Sequence, residues 1–293
     1  MAHRRQVSVL SAVSKLSRLA LALGLLALLT SCGLVGGKAK PTATPTFTST
    51  ATSTPTDTPT ATPTETPTPI PPTWTPTAPP RPPGPRAQII SNGDESRNVV
   101  ALTFDAGSDT GFAANILDTL SGRGVRATFG MTGQWAENNP DLLRRIVNDG
   151  HALINHSYDH YSFTGLSSRR TALTQEARWN EIDRTEQIIH DLTGATTKPY
   201  FRPPFGDYDD SVLYDVYQHG YAYSIMWSAD SDGWRGIPAG QIVQTVLREV
   251  QPGAIIIMHV GAASQDAAAL PQVIDGLHDM GYGFVTIPEL LGQ

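Results

Sequence analysis

Short apolar runs rich in β-branched and aromatic residues recur from Val99 to the end of the chain, and stretches of helical spacing separate them. VVALTFD (99–105), ATFGMTG (127–133), HALINH (151–156), YFRPP (200–204), YAYSIMWSAD (221–230), AIIIMH (254–259) and FVTI (284–287) predict seven strands. Between them, Phe112–Leu120 places Ile116, Leu117 and Leu120 at helical spacing. LLRRIVNDG after Asn139-Pro140, Arg169–Leu192, Ser211–Gln218, QIVQTVLREV and LPQVIDGLHDM predict further helices. Asn139 reads as an N-cap with Pro140 at the first helical position. Gly124, Gly150, Gly220 and Gly281 each stand just before a strand, where glycine closes a helix in the left-handed conformation. The alternation predicts an α/β fold with parallel strands. No GxGxxG or GxxxxGK[ST] loop follows the first strand, which favours a barrel over an open nucleotide-binding sheet.

The pattern before Val99 is different. Residues 1–31 carry Arg4, Arg5, Lys15 and Arg18 and no acid, then an apolar run from Leu19 to Leu29. That run is shorter than the roughly 20 residues a membrane span needs, and reads as an export signal. It ends in Leu29-Thr30-Ser31-Cys32, which resembles a bacterial lipobox. Cys32 would then be the lipidated first residue of the mature protein, anchored to the outer face of the membrane rather than spanning it. Residues 41–86 are a Thr/Pro tract holding 15 of the 23 prolines. With little apolar surface to bury, it reads as a disordered, extended stalk. The boundaries expected are therefore 1–31 for the signal, 32–96 for anchor and linker, and 97–293 for the globular domain.

The single cysteine excludes an intramolecular disulfide or a CxxC metal site. The formal net charge is −6, and residues 87–293 hold 13 Lys+Arg against 25 Asp+Glu. Phosphate backbones are bound through clusters of cations, so nucleic acid is not an expected partner.

In β/α barrels the chemistry sits at the C-terminal ends of the strands. Five strand ends deliver polar groups: Asp105 and Asp109; Asn155, His156, Ser157, Asp159 and His160; Arg202 and Asp207; Asp230, Asp232 and Trp234; and His259. His156-x-x-x-His160 is a two-imidazole metal spacing if the residues occupy a helical turn. A catalytic zinc takes about three protein ligands and keeps one position open.

TFDAG (103–107), NHSYDH (155–160), RPPFGDYD (202–209), DSDGW (230–234) and IMH (257–259) occur in this order. Together they resemble the five motifs of the polysaccharide deacetylases, the NodB-homology type of carbohydrate esterase family 4. The resemblance spans roughly residues 97–293. It implies a distorted, seven-stranded (β/α) barrel and metal-dependent hydrolysis of acetyl groups on glycans. By position, it implies Asp105 as general base and His156 and His160 as metal ligands, with zinc the expected ion. Arg202 would hold Asp105 ionised, and the Phe205 N–H would stabilise the oxyanion, Phe standing where the family usually has Tyr. His259 would be the general acid with Asp230 orienting its ring, and Trp234 and Ile257 would wall the acetyl slot.

One motif departs. The family usually reads Thr-Phe-Asp-Asp-Gly, and its second Asp completes the metal triad; here that residue is Ala106. Asp109 could supply the third ligand, water could take its place, or the domain could be a glycan-binding relic. Asp105, Arg202, Asp230 and His259 are all retained, which favours an enzyme. The substrate expected is an N-acetylglucosamine polymer, peptidoglycan first. An O-acetyl esterase on xylan-like glycans and a non-catalytic surface carbohydrate-binding protein are the rival expectations.

Overall fold

The strand VVALTFD lies inside the sheet, flanked on both sides, and organises what surrounds it. The computed structural model describes residues 84–293; the export signal, Cys32 and the Thr/Pro tract through residue 83 lie outside the described residues. Among the described residues, nine strands form one sheet. They are β1 (Gln88–Ile90), β2 (Val99–Ala106), β3 (Thr128–Met131), β4 (Ala152–Asn155), β5 (Tyr200–Phe201), β6 (Tyr223–Ile225), β7 (Ala229–Asp230), β8 (Ile255–His259) and β9 (Gly283–Phe284). The helices are α1 (Ala113–Gly122), α2 (Gly133–Asn138), α3 (Pro140–Asn148), α4 (Gln175–Thr193), α5 (Asp210–Gln218), α6 (Ala239–Glu249), α7 (Asp266–Asp279) and α8 (Ile287–Leu290). The spatial order is β1-β6-β5-β4-β3-β2-β8-β7, with β9 beside the start of β2, and every strand pair is parallel.

The stretch read as one strand, YAYSIMWSAD, is two. Its first half, β6, pairs with β5 and β1, and its second half, β7, pairs with β8. Between them the Met226 N–H donates to the Ile90 carbonyl at 2.7 Å and the Ser228 N–H to the Ile255 carbonyl at 3.0 Å. One kinked segment therefore joins both ends of the strand order and curls the sheet into a distorted (β/α) barrel. β1 was not expected. It places part of the stretch assigned to the linker in the sheet, and the Ala87 N–H already bonds the Leu213 carbonyl.

Alternation along β2 separates two environments. Val100, Leu102, Phe104 and Ala106 join the main apolar cluster, packed with α1, α3, α6 and α7. Ala101 faces the other way, with Ile154, Ile225 and Ile255. Residues two apart on a strand share a face, so Thr103 and Asp105 continue that second face toward the C-terminal end. The register pairs Thr103 with Ile257 and Asp105 with His259.

Several local expectations change. Gly124, Gly150, Gly220 and Gly281 do adopt positive φ. Asn139 precedes α3 with Pro140 behind it, but its side chain does not cap α3; it binds back to Trp135 and to Thr110. The long helix begins at Gln175 rather than Arg169, with Thr174 accepting from the Ala177 N–H as its cap. FVTI is strand only at Phe284, after which the Thr286 N–H and hydroxyl bond Glu289 and start α8.

Phe129 is fully buried on β3, stacked on Phe104 with ring centroids 5.3 Å apart. Truncating a buried Phe to Ala costs about 3–5 kcal/mol. Phe129→Ala is therefore expected to lower the unfolding free energy by that amount, read in urea titration as a lower midpoint with the m-value unchanged.

Candidate active site

The polar residues expected at strand ends meet in one cleft of about 490 Å³, lined by Asp105, His156, His160, Asp230, Trp234 and His259 with Phe205 and Ile257. Asp105 enters it from β2. Its Oδ1 accepts from Arg202 Nη1 at 2.8 Å, and both side chains are buried. Arg202, just past β5, also donates to Thr103 Oγ1 and to the carbonyls of Ile225 and Met226. Burial alone would favour the neutral acid, but the charge and hydrogen bond of Arg202, with His259 nearby, outweigh it and hold Asp105 below the usual carboxylate range. Gly130 on β3 leaves room for this carboxylate, since a Cβ there would lie 2.4 Å from Asp105 Oδ1.

His156 and His160 are brought together, though not by a helical turn. They lie in a loop after β4 in which Ser157 and His160 have φ of 63° and 62°. Their rings meet edge to face, centroids 4.9 Å apart. The loop is fixed from below. Glu181 on α4 accepts from the N–H groups of Tyr158 and Asp159, and Asn155 Oδ1 accepts from the Ser157 N–H. His156 Nδ1 is 2.8 Å from the Arg202 carbonyl. A carbonyl only accepts, so Nδ1 carries the proton and Nε2 keeps a free lone pair, 3.6 Å from Asp105 Oδ2. Burial lowers the pKa of both rings, and His160, also repelled by His156, is pushed down to about 3. Both are neutral near pH 7, the form that binds metals.

His259 ends β8. The sequence reading paired its ring with Asp230. Asp230 does line the cleft, but its Oδ1 accepts from the Asp232 N–H at 2.8 Å. The carboxylate against the ring is Asp266, at the start of α7, whose Oδ2 is 3.5 Å from His259 Nδ1. Sequence reasoning passed over Asp266, because an acid in the first turn of a helix has an ordinary explanation in the helix dipole. Burial would lower the His259 pKa, but Asp266, Asp105 and Asp230 together raise it. Asp207 is not in the cleft; it accepts from Ser162 and Ser167 and ties down their loop.

Two aromatic groups stand unusually open at the mouth. Trp234 is 61% and Phe205 51% exposed. Phe205 has φ 61° and its ring meets His160 at 4.6 Å between centroids. Its N–H donates to no protein group among the described residues. Ile257 is buried and faces the cleft.

Two neutral imidazoles with a carboxylate beside them are the kinds of group that hold a divalent cation. No group of three or more His, Cys, Asp or Glu that could hold a metal ion is found among the described residues. Asp109 is not brought to the imidazoles. It is exposed, and its Oδ2 accepts from the Ala262 N–H at 2.7 Å, which ties the loop after β2 to the loop after β8. Ala106 is buried and brings no donor.

Fold and cleft together give a (β/α) barrel whose strand ends bring a buried carboxylate and three imidazoles into one cleft. A sequence model of the polysaccharide deacetylase family matches residues 92–224. The peptidoglycan-N-acetylglucosamine deacetylase of Bacillus cereus is 33% identical over 202 residues, covering 68% of this chain and 70% of that protein. The solved Bc1960 peptidoglycan N-acetylglucosamine deacetylase matches with a TM-score of 0.64 at 31% identity, over 70% of this chain and 93% of that one. BA3943 of Bacillus anthracis, described as a CE4 family pseudoenzyme, matches with a TM-score of 0.62 at 27% identity, over 69% and 68%. The chain belongs to the polysaccharide deacetylase family.

Because Asp109 is engaged elsewhere, Asp109→Ala is expected to leave zinc affinity within about threefold by calorimetry. Ala106→Asp is expected to tighten it by about 10–100-fold, the range already seen for losing an outer partner of a metal ligand. Zinc should also raise the melting temperature of Ala106→Asp more than that of the parent, since binding stabilises the folded state.

Proposed function

We propose that the protein is an exported, lipid-anchored deacetylase that removes N-acetyl groups from an N-acetylglucosamine polymer, peptidoglycan first, with a divalent metal, zinc, as cofactor. The observation that carries this reading is that one cleft holds an ionised carboxylate, Asp105, and a proton-retaining imidazole, His259, on adjacent strands. Hydrolysis of an amide needs both a base for the water and an acid for the leaving amine.

A cation held by His156 and His160 would polarise the acetyl carbonyl as a Lewis acid. Asp105 takes a proton from the attacking water while the water oxygen bonds to the carbonyl carbon. The free N–H of Phe205 donates to the carbonyl oxygen as it gains charge. The C–N bond then breaks, His259 protonates the departing nitrogen, and acetate and a free amine result. Trp234 offers a flat face for a sugar ring, and Ile257 an apolar wall for the acetyl methyl. The basic start, the apolar run and Leu29-Thr30-Ser31-Cys32 support export and acylation, with the Thr/Pro tract as the stalk.

Ala106 and the likeness to a pseudoenzyme favour a second reading, a glycan-binding protein without turnover. The retained base, its guanidinium and the acid argue for turnover. An ester could be cleaved by the same groups, so the assay compares substrates. Acetate release is expected from N-acetylglucosamine oligomers and peptidoglycan and not from acetylated xylan. Release from xylan alone would make the protein an esterase, and release from none would leave the binder. His259→Ala should lower kcat by about 10²–10⁴-fold with KM little changed. The acid works protonated and its pKa is raised above 6.5, so kcat should hold past that pH and fall on the alkaline side.

Anchoring has its own test. The full chain should partition into the detergent phase and Cys32→Ser into the aqueous phase. Equal partitioning of the two would remove the anchor.

A further inference from the structure

His259 has two ring nitrogens, and only one can face substrate. Nδ1 is buried, and among the described residues it has no well-formed hydrogen bond. The carboxylate nearest to it is that of Asp266, which is itself fully buried and has an unpartnered oxygen, Oδ1. The contact runs from Nδ1 to Oδ2 at 3.5 Å, and a buried imidazole nitrogen is costly to leave without a partner, so the adjoining carboxylate is the group that completes it. The same oxygen also holds the chain around the ring. It accepts from the His259 N–H at 2.7 Å and from Ser231 Oγ at 3.2 Å. Asp266 thus grips the main chain of His259 while standing behind its ring.

The surroundings preserve this arrangement. The Asp266 N–H donates to Ser264 Oγ, and the carboxylate sits in the first turn of α7, where the helix dipole favours negative charge. Gly233 is the residue beside it. A Cβ at that position would lie 2.2 Å from Asp266 Oδ2, so only glycine leaves the carboxylate its place.

We propose that Asp266 is the positioning residue of His259, fixing the proton on Nδ1 and presenting Nε2 to the leaving nitrogen. The proposal builds on the reading of His259 as the general acid. It moves the orienting role from Asp230, which is bonded within its own turn, to a carboxylate seven positions beyond the histidine. The arrangement parallels the hydrolase triads, in which a buried carboxylate sets the tautomer of an imidazole and its replacement by Asn leaves the geometry but costs turnover.

Asp266→Asn in the full chain is the test. The Asn oxygen takes over the bonds of Oδ2, which come from donors, but the negative charge that favours a proton on Nδ1 is lost, so the neutral ring is left free to carry its proton on Nε2. Nitrogen-15 NMR of the neutral histidines, with the His259 signal identified by its loss in His259→Ala, is expected to show the Nδ1–H form in the parent. It should show the Nε2–H form in Asp266→Asn. In acetate release, Asp266→Asn is expected to lose at least about tenfold in kcat, with KM and zinc affinity within about threefold. In the His259→Ala background it should cost nothing further, because the two residues act as one unit. An Nε2–H signal in the parent protein overturns the proposal, and so does an equal loss in the His259→Ala background. If Asp266→Asn fails to fold, the tautomer of the parent decides. If the parent releases no acetate, the deacetylase reading fails, while the tautomer still reports whether Asp266 sets the ring.

Discussion

A guanidinium buried inside the barrel organises the catalytic end of this protein. Arg202 is fully buried and bonds Asp105, Thr103 and two carbonyls where the chain breaks between β6 and β7. Its own carbonyl orients His156. Taking both charges out of water costs several kcal/mol per ion, and their attraction offsets this only with good geometry and satisfied hydrogen bonds. The four bonds of Arg202 meet that condition. They also tie β2, β5 and the kinked segment together, so the ionised state of Asp105, the orientation of one imidazole and the closure of the barrel rest on the same side chain. Removing either charge alone would leave the other buried and unpaired, a disruption of about 3–5 kcal/mol that reaches well beyond the proton chemistry.

The strand ends were legible in the sequence because each follows an apolar run that buries both faces, and a parallel barrel puts all such ends on one side. What remained hidden depends on contacts across the fold. The apolar run through Ser224–Trp227 has no break, and only pairing with two different partners divides it into β6 and β7. β1 is three residues beside a proline-rich tract, too short for a periodic signal. His156 and His160 have the spacing of a helical turn, but two left-handed residues produce the same convergence in a loop. Asp266 looks like any acid opening a helix until β8 and α7 are seen to place it behind His259.

The loss of a carboxylate at Ala106 bears on the site differently from the loss of Asp105 or His259 would. Ala106 is buried and brings no donor, whereas Asp105 is held in place by Arg202 and His259 stands on the next strand. Asp105, His259 and their supports therefore stand independently of that position. Asp109, which could have compensated by distance in sequence, instead links the loops that follow β2 and β8. The same linkage steadies the chain just beyond His259.

The backbone at His160 sets chemistry against stability. Its φ of 62° lies in a region that costs an ordinary L-residue roughly 1–2 kcal/mol and costs glycine almost nothing. Selection for stability alone would drift this position toward glycine or asparagine and would exclude valine or isoleucine. The imidazole is held against that gradient, as residues at functional sites often are. An erosion of function in this lineage would accordingly leave its mark first at residue 160, where losing the side chain relaxes the fold, and last at Arg202, where losing it strands a buried carboxylate.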